Sequence, residues 1–146
     1  MNYFTITLTA IIGGTLTFFL SEQLRQGPVR ASALLSLLVG LFFYCFPDVL
    51  SLYLTKNIPI VFIGGSFIGM VAPLKKGNYS RILMAGSLFG IIYINKGRFF
   101  EGYGGALGTL ALIALLSAMG FSAIISRSIK VKKGIIKIKK KVLKQN

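Results

Sequence analysis

Apolar residues in this chain come in long blocks, each closed by a short cluster of polar or turn-forming residues. The alternation of a strand and the one-sided stripe of a soluble helix are both missing, so the blocks predict buried or membrane-crossing helices. They run from about 3 to 20, 31 to 55, 58 to 74, 79 to 95 and 103 to 125. A helix needs roughly 20 residues to cross about 30 Å of hydrocarbon. The first, second, third and fifth blocks come close to that or exceed it, although "CFPD" interrupts the second. Pro59 is expected in the first turn of the third helix and Pro73 in its last, where proline is tolerated. The fourth block is the weakest. Its apolar run, Ile82 to Asn95, crosses only if Tyr79 to Arg81 join the helix or the bilayer thins. The predicted fold is all-α: a polytopic transmembrane bundle of about five close-packed spans in residues 1–126, followed by a basic amphipathic tail, 127–146.

The basic residues test this count. With five spans and a cytoplasmic C-terminus, the inner loops hold Arg25, Arg30, Lys75, Lys76 and Arg81, and the tail adds nine more. Lys56, Lys96 and Arg98 fall outside. Cytoplasmic loops carry the excess of Lys and Arg, so the expected topology has the N-terminus outside and the C-terminus in the cytoplasm. A re-entrant fourth block would move Arg25 and Arg30 outside, which fits worse. The first block lacks the basic leader and small-residue cleavage site of a signal peptide and is expected to remain in the mature protein.

Glycines recur inside the blocks at helical spacing. Gly65, Gly69 and Ala72 make one small-residue stripe, as do Ala10, Gly14 and Thr17, Ser36 and Gly40, Gly86 and Gly90, and Gly104, Gly108 and Ala111. Lipid is as apolar as leucine, so helices associate in a bilayer by close backbone approach and dispersion contact, which small residues permit. Every helix is thus expected to have a close neighbour, in the same chain or in another subunit. "GGSFIG" at 64–69 and "AGSLFG" at 85–90 also match in the manner of a duplicated transporter repeat, although glycine-rich packing accounts for the same letters. "GSFIG" is similar to a glycine-serine-phenylalanine segment of small fluoride channels over five residues only. The upstream asparagine and downstream threonine- and serine-rich segment that would accompany it are lacking, and no family follows from it.

Composition narrows the chemistry. The 54% hydrophobic content and mean hydropathy of +0.75 place the chain outside the soluble range. The net charge of +14 is therefore read as a determinant of orientation and of contact with an anionic inner leaflet rather than as a nucleic-acid surface. Histidine is absent, which removes the commonest metal ligand and general base, and no cofactor is expected. The single cysteine, Cys45, forms no intrachain disulfide and is read as a structural thiol.

Asp48 follows Pro47 near the end of the second block. It is either a proton or cation site at a kinked helix or the cap of a short interfacial helix. Glu22 is read as a solvated loop residue, and Arg98 and Glu101 as a pair in an aromatic-flanked outer loop. In the tail, Lys130, Lys132, Lys133, Lys137, Lys139, Lys140, Lys141 and Lys144 alternate with apolar residues. They predict an amphipathic helix on the inner leaflet, able to dock to lipid or a partner, or else a small hairpin about Gly134.

These features point to a non-enzymatic accessory or structural subunit of a larger assembly in the cytoplasmic membrane, associating with another membrane protein or with itself. A small homo-oligomeric channel or transporter with Asp48 as its polar site is the alternative. A lipid-modifying enzyme ranks third, for want of acid-base groups.

Overall fold

The structure, a computed structural model, describes residues 2–71, 78–95 and 105–142, with side chains for all of these except 78, 126 and 128–142. Five helices account for nearly all of it: α1 (Asn2–Gln23), α2 (Pro28–Cys45), α3 (Leu52–Gly69), α4 (Asn78–Ile94) and α5 (Ala106–Val142). Among the described residues there is no strand. Four helices are long and apolar enough to cross a membrane: α1, α2, α3 and the Ala106–Ile125 part of α5. The chain is thus compatible with a multi-pass membrane protein, as its sequence predicts. The 17 residues of α4 rise only about 26 Å and make it the short one.

Local chemistry sets the helix limits. Gly27 adopts φ 81° and Arg25 φ 51°, so the chain turns in the left-handed region that glycine tolerates best. Pro28 then opens α2 at its first position, where a missing N–H costs nothing. The other end of α2 departs from expectation. The block 31–55 is not one helix, because α2 stops at Cys45 and a single 3-10 turn, Pro47–Val49, links it to α3. Proline disfavours helical geometry in the residue before it, and Phe46 sits at φ −127°, ψ 67°. Thr55 Oγ1 closes the turn by donating to the carbonyls of Pro47 at 3.1 Å and Leu50 at 3.3 Å. Because α3 starts at Leu52 rather than Ile58, Pro59 lies inside it and not in its first turn. The Thr55 carbonyl there lacks its usual helical donor. Pro73 falls outside the described residues.

Successive helices run antiparallel. Ser32 at the start of α2 meets Ser66 near the end of α3, Asn57 of α3 meets Tyr93 of α4, and Arg81 of α4 meets Ser122 of α5. α1 lies parallel to α3 and antiparallel to α4, with Phe18 edge-on to Tyr79 at 5.2 Å. A central group of α1, α3 and α4 is flanked by α2 against α1 and α3, and by α5 against α4 and α3. The core combines a few large groups, such as Ile6, Phe89, Ile68 and Leu110, with alanines at 10, 85, 111, 114 and 118. Large apolar side chains face outward instead, among them Leu37, Leu38 and Phe42 of α2 and Leu112, Leu116 and Ile124 of α5. Large residues toward the surroundings and small ones between helices is the arrangement bilayer packing favours. The tail continues α5 without a break: its backbone is helical through Val142, with Gly134 inside the helix, so it is no hairpin. At 37 residues α5 is about 55 Å long, well beyond the apolar thickness of a bilayer.

Candidate functional site

Among the described residues, glycines on α1, α3 and α4 stand where their helices approach one another closely. A methyl group added at Gly13 would lie 2.8 Å from the Phe62 carbonyl oxygen, and one at Gly14 would lie 3.2 Å from both the Gly65 carbonyl oxygen and Ile82 Cγ2. Across that contact, a methyl group at Gly65 would enter the backbone of Ala10, and one at Gly69 would meet the Gly14 carbonyl and Thr17 Cβ. Gly86 and Gly90 serve α4, facing Ile11 Cα at 3.0 Å and Thr7 Cα at 2.8 Å. Gly14, Gly65, Gly69, Gly86 and Gly90 thus occupy helix contacts within the chain.

Gly40 and Gly108 do not: nothing lies within 4 Å of a methyl group added at either. Gly104 is outside the described residues. Two contacts lie outside the stripes read from spacing, Gly13 and Gly64, the latter holding the Phe89 ring where a side chain would otherwise stand. The doublets Gly13-Gly14 and Gly64-Gly65 carry that information. Neighbouring residues lie about 100° apart on a helix, so a doublet serves two neighbours at once: Gly64 faces α4 while Gly65 faces α1.

Polar groups inside the bundle are few. Ser66 Oγ donates to the Ile63 carbonyl at 2.7 Å, leaving its lone pairs to accept the Ser32 hydroxyl, also at 2.7 Å. This buried bond pins α2 to α3. Near the opposite end, the Tyr93 hydroxyl donates to Asn57 Oδ1 at 2.8 Å while Asn57 Nδ2 donates to the Tyr53 carbonyl at 2.8 Å. Among the described residues, the buried hydroxyls of Thr17 and Ser36 have no partner. Arg81 Nε donates to Ser122 Oγ at 3.3 Å, tying α4 to α5. Met84, one helical turn on from Arg81, and Phe121, next to Ser122 in the chain, line an apolar groove of about 550 Å³ together with Leu83, Ser87, Leu88 and Ser117.

Asp48 is exposed in the 3-10 turn, whose N-cap position is held by Phe46, and Ser51 rather than Asp48 holds the N-cap position of α3. Cys45 is exposed beside it. Among the described residues no three His, Cys, Asp or Glu gather in a metal-binding group. The side chains of Lys130, Lys132, Lys133, Lys137, Lys139, Lys140 and Lys141, and the whole of Lys144, fall outside the described set, as do Arg98 and Glu101. Comparison with protein-family models, curated proteins and solved structures gives no match for this chain.

Proposed function

We propose that this chain is a five-span protein of the cytoplasmic membrane, N-terminus outside and C-terminus inside, serving as a non-enzymatic structural subunit of a larger membrane assembly. One contrast carries the reading: the glycines of α1, α3 and α4 are used up inside the chain, whereas Gly40 on α2 and Gly108 on α5 stand open. α2 in particular touches the bundle closely at its start, where Ala31 and Ser32 are buried. Its later turns present Leu34, Leu37, Leu38 and Leu41 outward, with Gly40 open among them. An open glycine flanked by leucines is what a further helix needs for close approach. The basic helical extension of α5 supports docking on the cytoplasmic side.

Register along α1 supports a full crossing by α4, since Gly90 lies beside Thr7 and Tyr79 beside Phe18. The alternating directions also collect Arg25, Arg30, Arg81 and Arg127 at one end and leave Lys56 at the other. That partition favours the basic end facing the cytoplasm. The exposure of Asp48 weighs toward scaffold rather than ion coupling.

Purification in mild detergent tests the proposal. The wild-type chain is expected to bring down a different membrane protein in fixed proportion, and Gly40→Leu to lose that partner while the chain itself elutes unchanged. A homogeneous homo-oligomer without a second protein would instead support the channel or transporter reading.

A further inference from the structure

We propose that the groove between α4 and α5 binds one anionic phospholipid, an acyl chain lying along Met84, Leu88 and Phe121 and the phosphate held by Arg81. The groove has the volume of a small-ligand site and an almost wholly apolar lining. It opens on the outer face, where Leu83 and Phe121 are exposed. Its small members, Ser87 and Ser117, make the depression. The Ser87 hydroxyl donates to its own helix, to the Leu83 carbonyl at 2.8 Å, and so asks nothing of a hydrocarbon chain.

Charge identifies the occupant. Arg81 lies in the first turn of α4, and Ser122 lies three residues before the end of the apolar stretch Ala106–Ile125. The guanidinium between them therefore stands at the level where hydrocarbon gives way to headgroups. Only Nε is engaged, by Ser122 Oγ, and among the described residues both terminal amines are uncommitted. A guanidinium presents a planar fork suited to two phosphate oxygens. An apolar partner helix in the groove would cover the lining but bring no anion to that fork. A phospholipid satisfies both, and Arg127, exposed further along α5, adds positive potential beyond the phosphate.

This inference rests on α4 and α5 crossing the bilayer with Arg81 at the headgroup level, but not on the subunit role, because Arg81 and Ser117 are remote from α2. The 146-residue chain would be placed in phosphatidylcholine nanodiscs holding a minority of phosphatidylglycerol, and retained lipids counted by native mass spectrometry. The wild type is expected to keep phosphatidylglycerol preferentially, Arg81→Gln to lose about fivefold of that preference, and Arg81→Lys to keep most of it. Ser117→Phe, which fills the groove, is expected to lower retention of both lipids whether or not Arg81→Gln survives purification.

No preference in the wild type would overturn the proposal, and an unchanged preference in Arg81→Gln would overturn it and assign lipid selectivity to the lysine tail. Unchanged lipid in Ser117→Phe with an altered oligomeric state would overturn it in favour of a helix in the groove. Neither result bears on whether a partner binds α2.

Discussion

At Gly65 the α-carbon of α3 approaches α1 so closely that the missing side chain is the contact itself, since the smallest addition would enter the Ala10 backbone. A backbone cannot step aside as a side chain tip does. Gly65→Ala is therefore expected to destabilise the bundle by about 2 kcal/mol through overpacking. Gly40→Ala meets nothing within 4 Å, and alanine is favoured over glycine in a helix by up to about 1 kcal/mol, so the isolated chain should not lose stability. Thermal unfolding of both variants in the same detergent checks the pair; equal losses would mean that Gly40 is packed within the chain as tightly as Gly65. The two glycines also mark what spacing can and cannot reveal. Recurrence at i and i+4 places small residues on one face, which is why Gly14, Gly65, Gly69, Gly86 and Gly90 were legible as contacts. It does not say whether a neighbour occupies that face, so Gly40 and Gly108 look the same as the others in sequence. It also passes over Gly64, whose face holds no second small residue at helical spacing.

Among the elements, the junction of α2 and α3 was the hardest to read. "VLSLYL" continues the apolar letters of the second block, and a hydropathy pattern is blind to the backbone restriction that Pro47 puts on Phe46. Six residues therefore separate the end of α2 from the start of α3, and the turn among them leaves Asp48 exposed. The placement has a direct consequence. An exposed carboxylate away from the N-cap position contributes little to stability, and Asp48→Asn is expected to change it by less than about 0.5 kcal/mol. Normal membrane levels and normal growth of a strain that depends on the protein are expected to accompany the variant. Lost function at normal level would instead make Asp48 an ion-coupling group. The α4 helix shows the opposite case: its limits, Asn78–Ile94, nearly match the expected 79 to 95, because the tyrosines and asparagines bounding it are legible one residue at a time.

For the molecule as a whole, the antiparallel order of successive helices turns a pattern of loops into two chemically distinct ends. One carries Arg25, Arg30 and Arg81, and Arg127 lies just beyond it on α5; the other carries Asp48 and Lys56. The helical backbone of α5 carries the basic residues from Arg127 to Lys141 beyond that same end, so the positive-inside rule predicts a topology with the α2–α3 turn outside. Reversing the molecule would place most of the basic residues on the far side of the membrane, against both the insertion bias and the attraction of anionic inner-leaflet lipid. The prediction can be tested with one thiol at a time. In a Cys45→Ser background, Ser51→Cys puts a thiol on the turn before α3, and Gln26→Cys puts one in the loop between α1 and α2; both native residues are exposed. A membrane-impermeant maleimide added to intact cells is expected to modify the cysteine at 51 but not the one at 26, and to reach both after lysis. The reverse pattern would invert the topology and place the basic helical extension of α5 outside. Labelling of both sites in intact cells would mean two coexisting orientations, which a charge difference of this size should not permit.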